Sequence, residues 1–254
     1  MIEYKTPRQI ESIGVAGALV RRTLEAVRDA AAPGVRPVDL DDLAHRMIRD
    51  NGGVSAYIGY HPNWAPSPYP RVLCVSVNEV IVHAIPDERP LAEGDLVSAD
   101  LALLVQGWCA DAAITFTVGP PDPVDRALID TTERALAAGI AAALPGNRMG
   151  DISAAVGAVV RSSPFGLLAD HGGHGIGSNM HQDPDVPNDG RPHRGLKLKP
   201  GLVIAIEPML QAGGGSDYRH CADGWGVRTA DGSRAAHAEH TIAITADGPV
   251  ILTG

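Results

Sequence analysis

Four acidic residues of this chain lie inside runs of apolar residues, where a carboxylate is seldom found. They are Asp100 in LVSADLALLV, Asp111 in WCADAAITF, Glu207 in LVIAIEPML and Glu239 in HAEHTIAIT. Charged side chains are rarely buried unless they are paired or bound to a metal ion. If the fold brings these carboxylates together, they repel one another unless cations lie between them. The pattern therefore predicts strands that converge on a site for two divalent ions.

A histidine in a glycine-rich run completes the candidate ligand set. His174 lies in HGGHGIG, where glycines allow the backbone to approach a ligand closely. Four carboxylates and an imidazole are typical ligands of Mn(II), Fe(II), Co(II) or Zn(II), and two such ions about 3.5 Å apart activate water for hydrolysis. For His171, and equally for His83 and His181, the alternative is a structural histidine. No GxSxG motif is present, so nothing favours a serine hydrolase.

The two aspartates flank Gln106–Gly107, a segment that can form a two-residue hairpin turn. Such a turn places Asp100 opposite Ala113. Asp111 is two residues from Ala113 on the same strand, so both carboxylates face one side of the sheet. Their Cα atoms would lie about 7 Å apart, which suits a bridging ion. The alternative is a pair of solvent-facing aspartates, and for the two glutamates it is an edge position or a salt bridge.

Helical patterns alternate with strand-like runs along the chain. Thr6 and Gln9 can form a capping box at the start of the first helix. A second helix is expected from about Asp39 to Gly52. Strands are expected in VLCVSVNEV, VSADLALLV and CADAAITFTVG, and a helical pattern returns near residue 123. This order of elements predicts an α+β fold.

A short internal repeat suggests two related halves. PGVRPVDL at 33–40 is echoed by PGNRMGDI at 145–152. Each copy lies between two helical patterns, and strands follow each pair of helices. We therefore expect one catalytic domain over 1–254, built of two similar halves at about 1–120 and 121–254.

Composition limits the classes of partner. The formal net charge of -9 argues against nucleic-acid binding through phosphate contacts. Cys74, Cys109 and Cys221 are far apart and form no CxxC pair, which favours free thiols in a reducing cytosol. The N-terminus lacks the apolar segment of a signal peptide, and no apolar run is long enough to cross a bilayer. We therefore expect a cytoplasmic protein that binds neither nucleic acid nor membranes.

Six motifs, in this order, resemble those of one enzyme family. They are CVSVNEVIVHAIP, the aspartate pair, GHGIG followed by His181, AIEPM, DGW and EHTIAIT. The ordered set covers nearly the whole chain and is similar to that of type I methionine aminopeptidases. The resemblance implies an α+β pita-bread fold, in which a curved antiparallel sheet shared by two pseudo-symmetric halves is covered by helices. It also implies removal of the initiator methionine from nascent proteins whose second residue is small.

The same resemblance implies roles for the metal-binding residues. Asp100 and Asp111 would bind one ion. Asp111, His174, Glu207 and Glu239 would bind a second, with Asp111 and Glu239 bridging the two. The ions would be Co, Mn, Fe or Zn. Glu207 would also carry a proton between the attacking water and the leaving amine.

Two histidines are implied to act on the substrate. His83 would face the leaving amine, and His181 would donate to the developing oxyanion; with Glu207 they form the implied catalytic set. The implied substrate-binding residues are Tyr60, Cys74, His83, Met180, His181 and Trp225. The implied partners are the N-termini of nascent polypeptides, bound by a monomer, with the ribosome left open as a further partner.

Departures from the family pattern concern specificity more than metal binding. Ala84 stands where Gly is usual, Ala112 and Ala113 where Thr and Ser are usual, and Met180 where an aromatic residue is usual. The loop over residues 60–74 is longer than usual. One alternative is therefore the same metal site with changed specificity, such as cleavage before proline. Another is a non-catalytic binding protein, which the five intact ligands disfavour.

Overall fold

Helices in pairs alternate with antiparallel strands. The computed structural model describes residues 2–168 and 170–254. Its helices are α1 (Pro7–Ala30), α2 (Pro37–Asp50), α3 (Pro123–Ala142) and α4 (Met149–Arg161). Its strands are β1 (Gly53–Ser55), β2 (Cys74–Val77), β3 (Val80–Val82), β4 (Leu96–Val105), β5 (Trp108–Thr117), β6 (Gly166–Leu167), β7 (Gly172–Gly175), β8 (Gln182–Pro187), β9 (Val203–Ile206), β10 (Met209–Gln211), β11 (Tyr218–His220), β12 (Val227–Thr229), β13 (Ala235–His237), β14 (Glu239–Thr245) and β15 (Gly248–Ile251). The predicted α+β class is confirmed. No described helix has the length and apolar character needed to cross a membrane.

The first two helices begin at local sequence signals. Thr6 N–H donates to Gln9 Oε1 at 2.7 Å and Gln9 N–H donates to Thr6 Oγ1 at 3.4 Å, so the predicted capping box is confirmed. The second helix begins at Pro37, earlier than the predicted start near Asp39, and ends at Asp50. Proline is favoured at the first helical position because the first turn needs no backbone donor there.

The internal sequence repeat marks the start of a helix in both copies. In the first copy, the Asp39 carboxylate accepts from the backbone N–H of Arg36 at 3.2 Å. In the second, the Asp151 carboxylate accepts from the backbone N–H of Arg148 at 2.7 Å. Each aspartate satisfies a backbone donor that the helix itself leaves free. The repeated residues therefore have the same local role at α2 and at α4.

The largest sheet carries the candidate site. Within the described residues its strands follow the order β1, β4, β5, β14, β9, β7 and β8, with β2 added to β4 and β15 added to β14. Helix α1 packs against β4 and β5, whereas α3 packs against α4 and contacts β9 and β14. Leu101 and Leu103 of β4 join the hydrophobic core together with residues of α1. Asp100, between two core positions, points to the opposite face.

The predicted strand in VLCVSVNEV is β2, which ends at Val77, and β3 begins at Val80, the last residue of that run. β2 pairs with β4 in the large sheet, whereas β3 pairs with β12 in a separate small sheet. Between them Asn78 has a φ of 58°, a left-handed conformation that asparagine tolerates better than most residues. The turn directs the following segment, which ends at His83, away from the large sheet.

A buried aspartate of α2 fixes the chain just before β2. Asp41 Oδ1 accepts from the backbone N–H groups of Val72 and Leu73 at 2.9 and 3.0 Å. We expect Asp41→Ala to lower the free energy of unfolding by about 3 kcal/mol, because two buried backbone donors lose their acceptor. Denaturant unfolding would measure the loss. The neighbouring exposed Asp42→Ala is the control, and an equal effect of both substitutions would refute this account.

Candidate metal centre and adjoining pocket

The register of the large sheet brings both aspartates and one glutamate to the same face. Asp100 pairs with Ala113 across β4 and β5, as the predicted hairpin requires, and Ala113 pairs with Glu239 of β14. Residues opposite one another in a sheet point to the same face. Asp111 joins them because it lies two residues from Ala113 along β5. The small side chain of Ala113 leaves room between the carboxylates on either side.

The second glutamate faces the first across neighbouring strands. Strand β9 ends just before Glu207 and pairs with β14, whereas β10 begins just after Glu207 and pairs with β13. Both pairings have the same register. This register places Glu207 directly opposite Glu239, at a Cβ separation of about 5 Å. Carboxylate oxygens of Glu207 and Glu239 lie within 4.8 Å of one another, and two unit charges at that distance repel by about 3 kcal/mol at an effective dielectric constant of about 20. The pair therefore needs a proton or a cation to be stable.

His174 presents one ring nitrogen to the carboxylates. Its Nδ1–H donates to the Gly175 carbonyl at 3.0 Å, which leaves Nε2 as the atom with a free lone pair. Nε2 lies 3.6 Å from Glu207 Oε1 and 4.0 Å from Asp111 Oδ2. A hydrogen bond from the other ring nitrogen is the usual way to orient a metal-binding histidine.

Burial changes the ionisation of the whole cluster. Removal from water raises the pKa of Asp100 to about 6. Burial, with a smaller contribution from neighbouring negative charges, raises the pKa values of Asp111, Glu207 and Glu239 well above their usual range. Burial lowers the pKa of His174. The site therefore favours protonated carboxyls until a cation compensates their charge.

These side chains fit a divalent cation. Asp111, His174 and Glu239 each offer one ligand atom, and the three atoms lie within 4.8 Å of one another. Glu239 Oε1 is buried and has no hydrogen-bond partner among the described residues. Oxygen-rich donors with a neutral imidazole suit first-row divalent ions. Together with Asp100, they have the composition predicted for a site of more than one ion.

Tyr57 contacts both aspartates, although the sequence did not identify it as a site residue. Its hydroxyl donates to Asp100 Oδ1 at 2.5 Å and lies 3.3 Å from Asp111 Oδ1. The contact orients the Asp100 carboxylate, a role that outer residues of metal sites commonly have. No ligand-like pattern surrounds Tyr57, so only the packing of β1 beside β4 reveals this contact.

A cavity of about 880 Å³ opens beside the carboxylates, and both predicted catalytic histidines line it. His83 has a φ of 62°, a conformation that residues other than glycine seldom adopt and that is often found at functional sites. His181 stacks on Tyr60 with ring centres 5.5 Å apart, and its ring centre lies 4.0 Å from that of His174. Burial lowers the pKa of His83 to about 4 and that of His181 to about 3. Both rings are therefore neutral at physiological pH.

The predicted pocket residues also line this cavity. Cys74 pairs with Asp100 across β2 and β4, and burial raises its thiol pKa well above the usual value, so the thiol stays protonated. Met180 and Trp225 are 7% and 3% exposed. The Trp225 indole N–H donates to the Ser67 carbonyl at 3.1 Å. These side chains, with Tyr60, form an apolar wall facing the carboxylates.

Two further residues that line the cavity, and one beside the metal centre, were not identified from the sequence. His171, interpreted as structural, lines the cavity, and so does Trp64, which contacts Trp225 edge-on at 5.1 Å between ring centres. His237 lies beside the two glutamates. Of the three, His237 alone carried a usable sequence signal: it lies two residues before Glu239, and alternate residues of an extended segment point to the same side.

Metal binding is expected to release protons. Because the carboxyl pKa values are raised, the metal-free cluster still holds protons at a pH of about 6, the pKa of Asp100. A bound ion, in contrast, requires ionised ligands. Affinity should therefore rise with pH through this range. Calorimetric titration with Mn(II) in buffers of different ionisation enthalpy would count the protons. Release of at least about one proton per protein is expected, and release of none would contradict the raised pKa values.

The sign of the stability effect follows from the same shift. The folded-state pKa of Asp100 lies above its usual 3.8, so its stabilising effect on the metal-free fold is present at low pH. That effect is lost as the pH rises from about 4 through about 6. A bound cation compensates the charge of the ionised carboxylate and so prevents this loss of stability. The increase in Tm on adding metal should therefore grow with pH.

A cavity beside clustered carboxylates and imidazoles has the composition expected of a metal-dependent hydrolase site. The sequence matches the model of metallopeptidase family M24 over residues 11–246, and the chain belongs to this family. It is 45% identical over 260 residues to methionine aminopeptidase 1 of Mycobacterium tuberculosis, covering 100% of this chain and 95% of that protein. The resemblance found in the sequence is thus confirmed, and the chain is a metallopeptidase.

Solved structures agree with the family assignment. Methionine aminopeptidase from Thermotoga maritima superposes with a TM-score of 0.94 at 39% identity, covering 100% of this chain and 99% of that one. Prolidase from Pyrococcus furiosus has a TM-score of 0.78 at 22% identity, with coverage of 99% and 65% respectively. The second likeness shows the fold alone. The predicted pita-bread fold is confirmed.

Proposed function

We propose that this protein removes N-terminal methionine from newly made polypeptides when the second residue is small. The observation that carries the proposal is the convergence of four carboxylates and His174 at one side of the cavity. The full-length identity of 45% to a protein named methionine aminopeptidase 1 supports the choice of substrate.

The proposed metal centre holds two ions. Asp100 and Asp111 would bind one; Asp111, His174, Glu207 and Glu239 would bind the other. The facing register of the two glutamates and the free Nε2 of His174 support this division. Co(II), Mn(II), Fe(II) and Zn(II) all suit these donors. When bound, the ions supply charge compensation and an activated water for hydrolysis.

Three side chains of this chain would perform the remaining chemistry. Glu207, protonated in the metal-free site, would be ionised once cations compensate its charge, and would then accept a proton from the attacking water and pass it to the leaving amine. His181, neutral in this site, would donate an N–H to the oxyanion that forms on the scissile carbonyl. His83, fixed by its left-handed backbone, would face the leaving amine.

The cavity wall would select the methionine side chain. Tyr60, Cys74, Met180 and Trp225 would contact the thioether, with His83 and His181 at the scissile bond. A flexible methionine such as Met180 adapts its shape to another thioether. The aromatic contact of Trp225 with Tyr69, 5.0 Å between ring centres, supports a stable wall on one side.

We also propose how the chain works as a whole. Residues 1–254 would form one catalytic domain of two related halves, about 1–120 and 121–254; the shared helix starts at α2 and α4 support this division. The substrates would be N-termini of nascent chains in the cytoplasm, met by a monomer at or near the ribosome.

A peptide panel tests the proposed specificity. Metal-free protein would be reconstituted separately with Mn(II), Fe(II), Co(II) and Zn(II) and given Met-Ala-Ser, Met-Leu-Ser and Ala-Pro-Ser. We expect cleavage of Met-Ala-Ser at least about 10-fold faster than Met-Leu-Ser, because the larger second residue is excluded from the pocket. Cleavage of Ala-Pro-Ser alone would move the activity to Xaa-Pro substrates. Absence of cleavage with every metal would overturn the proposal.

A further inference from the structure

His237 is buried against the two glutamates of the metal centre. It ends β13 and lies two residues before Glu239, the first residue of β14, and its Nε2 lies 4.0 Å from Glu239 Oε2. Its partner across the sheet is Met209, two residues after Glu207. The residue is 1% exposed. The fold thus places a second imidazole at the end of the cluster that His174 does not occupy.

Neither ring nitrogen of His237 has a hydrogen-bond partner among the described residues. Nε2 lies 3.9 Å from Glu207 Oε2 and 4.0 Å from Glu239 Oε2, which is too long for a direct hydrogen bond. A buried imidazole without partners is unfavourable. Oxygen atoms of both glutamates, which a cation would also bind, lie 3.9 and 4.0 Å from its Nε2.

The surroundings of His237 Nε2 match those of His174 Nε2. His174 Nε2 lies 3.6 Å from Glu207 Oε1 and 4.0 Å from Asp111 Oδ2. Each oxygen of the Glu207 carboxylate therefore faces a different imidazole. Metal–nitrogen and metal–oxygen bonds of about 2.0–2.2 Å place two ligand atoms about 3–4 Å apart on one ion. Glu207, His237 and Glu239 offer three atoms within 4.8 Å of one another.

We infer that His237 Nε2 is a further metal ligand, binding the ion held between Glu207 and Glu239. This inference rests on the proposed metal centre and adds a residue absent from the five-ligand set that the family resemblance implies. The ion then has imidazole ligands on two sides. The net charge of the ion with its ligands stays the same, because a neutral histidine adds none. The Nδ1–H of the bound ring is shielded from solvent by burial.

Proton NMR of the Co(II)-loaded protein tests the inference. Ring N–H protons of metal-bound histidines give exchangeable, strongly shifted resonances, so we expect two in the wild type, from His174 and His237. His237→Gln should retain one and bind its metal about 10–100-fold more weakly. His240→Gln should retain two, because His240 Nδ1 contacts Thr253 Oγ1 at 2.9 Å and has no place in the cluster.

The outcomes separate this inference from the proposed function. Two ions bound, Met-Ala-Ser cleaved and a single shifted N–H in the wild type would overturn the role of His237 and leave the aminopeptidase activity intact. Failure to bind Co(II) at all would overturn both. If His237→Gln does not fold, selective ¹⁵N-histidine labelling of the wild type decides, since the number of metal-bound rings is read without a variant.

Discussion

Replacing Asp111 with asparagine is expected to lower kcat/KM for Met-Ala-Ser by at least about 10³-fold, equivalent to about 4 kcal/mol. Asp111 lies between the other carboxylates and is the one aspartate assigned to both ions. An amide keeps the size of the side chain but removes the charge and one oxygen ligand. Metal content measured on the purified variant should fall together with activity. Full activity at saturating metal would refute the assigned role.

A second buried aspartate provides the control for this substitution. Asp125 is 2% exposed and pairs with Arg234, away from the cavity. Asp125→Asn should lower Tm but leave metal content and kcat/KM near the wild-type values. The comparison separates loss of a metal ligand from the general cost of altering a buried carboxylate.

Replacing His181 with alanine is expected to lower kcat by about 10²–10³-fold, or about 2.7–4 kcal/mol, with little change in KM. His181 is placed to donate a hydrogen bond that forms fully only in the transition state. Its ring is neutral because burial lowers its pKa to about 3, so it keeps one N–H donor across the working pH range. Steady-state kinetics of the metal-loaded variant would measure the effect.

His181→Gln tests whether the donor itself matters. Glutamine retains an N–H group, so this variant should recover part of the lost kcat while both variants bind the wild-type amount of metal. Equal loss in both would assign His181 to the shape of the pocket instead. A parallel loss of metal would show that contact with His174, 4.0 Å between ring centres, supports the ligand set.

Local sequence rules were sufficient for the parts of the site that depend on one hairpin. The short turn at Gln106–Gly107 determines the pairing of Asp100 with Ala113, and a strand period of two then places Asp111. The capping residues of α1 likewise depend on neighbours three positions apart. Such features are encoded within a few residues, so the sequence predicted them correctly.

Features that depend on distant packing were not predicted. Val15 of α1 is apolar yet 57% exposed, because the buried face of the helix runs through Ile13, Leu19 and Val20. Tyr57 reaches the aspartates only because β1 lies beside β4. The turn at Asn78 depends on a bond from Leu96 N–H to its side chain at 3.0 Å. None of these contacts leaves a local pattern in the sequence.

Anomalous diffraction from crystals soaked in Mn(II) tests the metal centre most directly. Two peaks about 3.5 Å apart are expected, one beside Asp100 and Asp111 and the other among Asp111, His174, Glu207 and Glu239. A single peak, or peaks outside this cluster, would contradict a centre of two ions shared by these five residues.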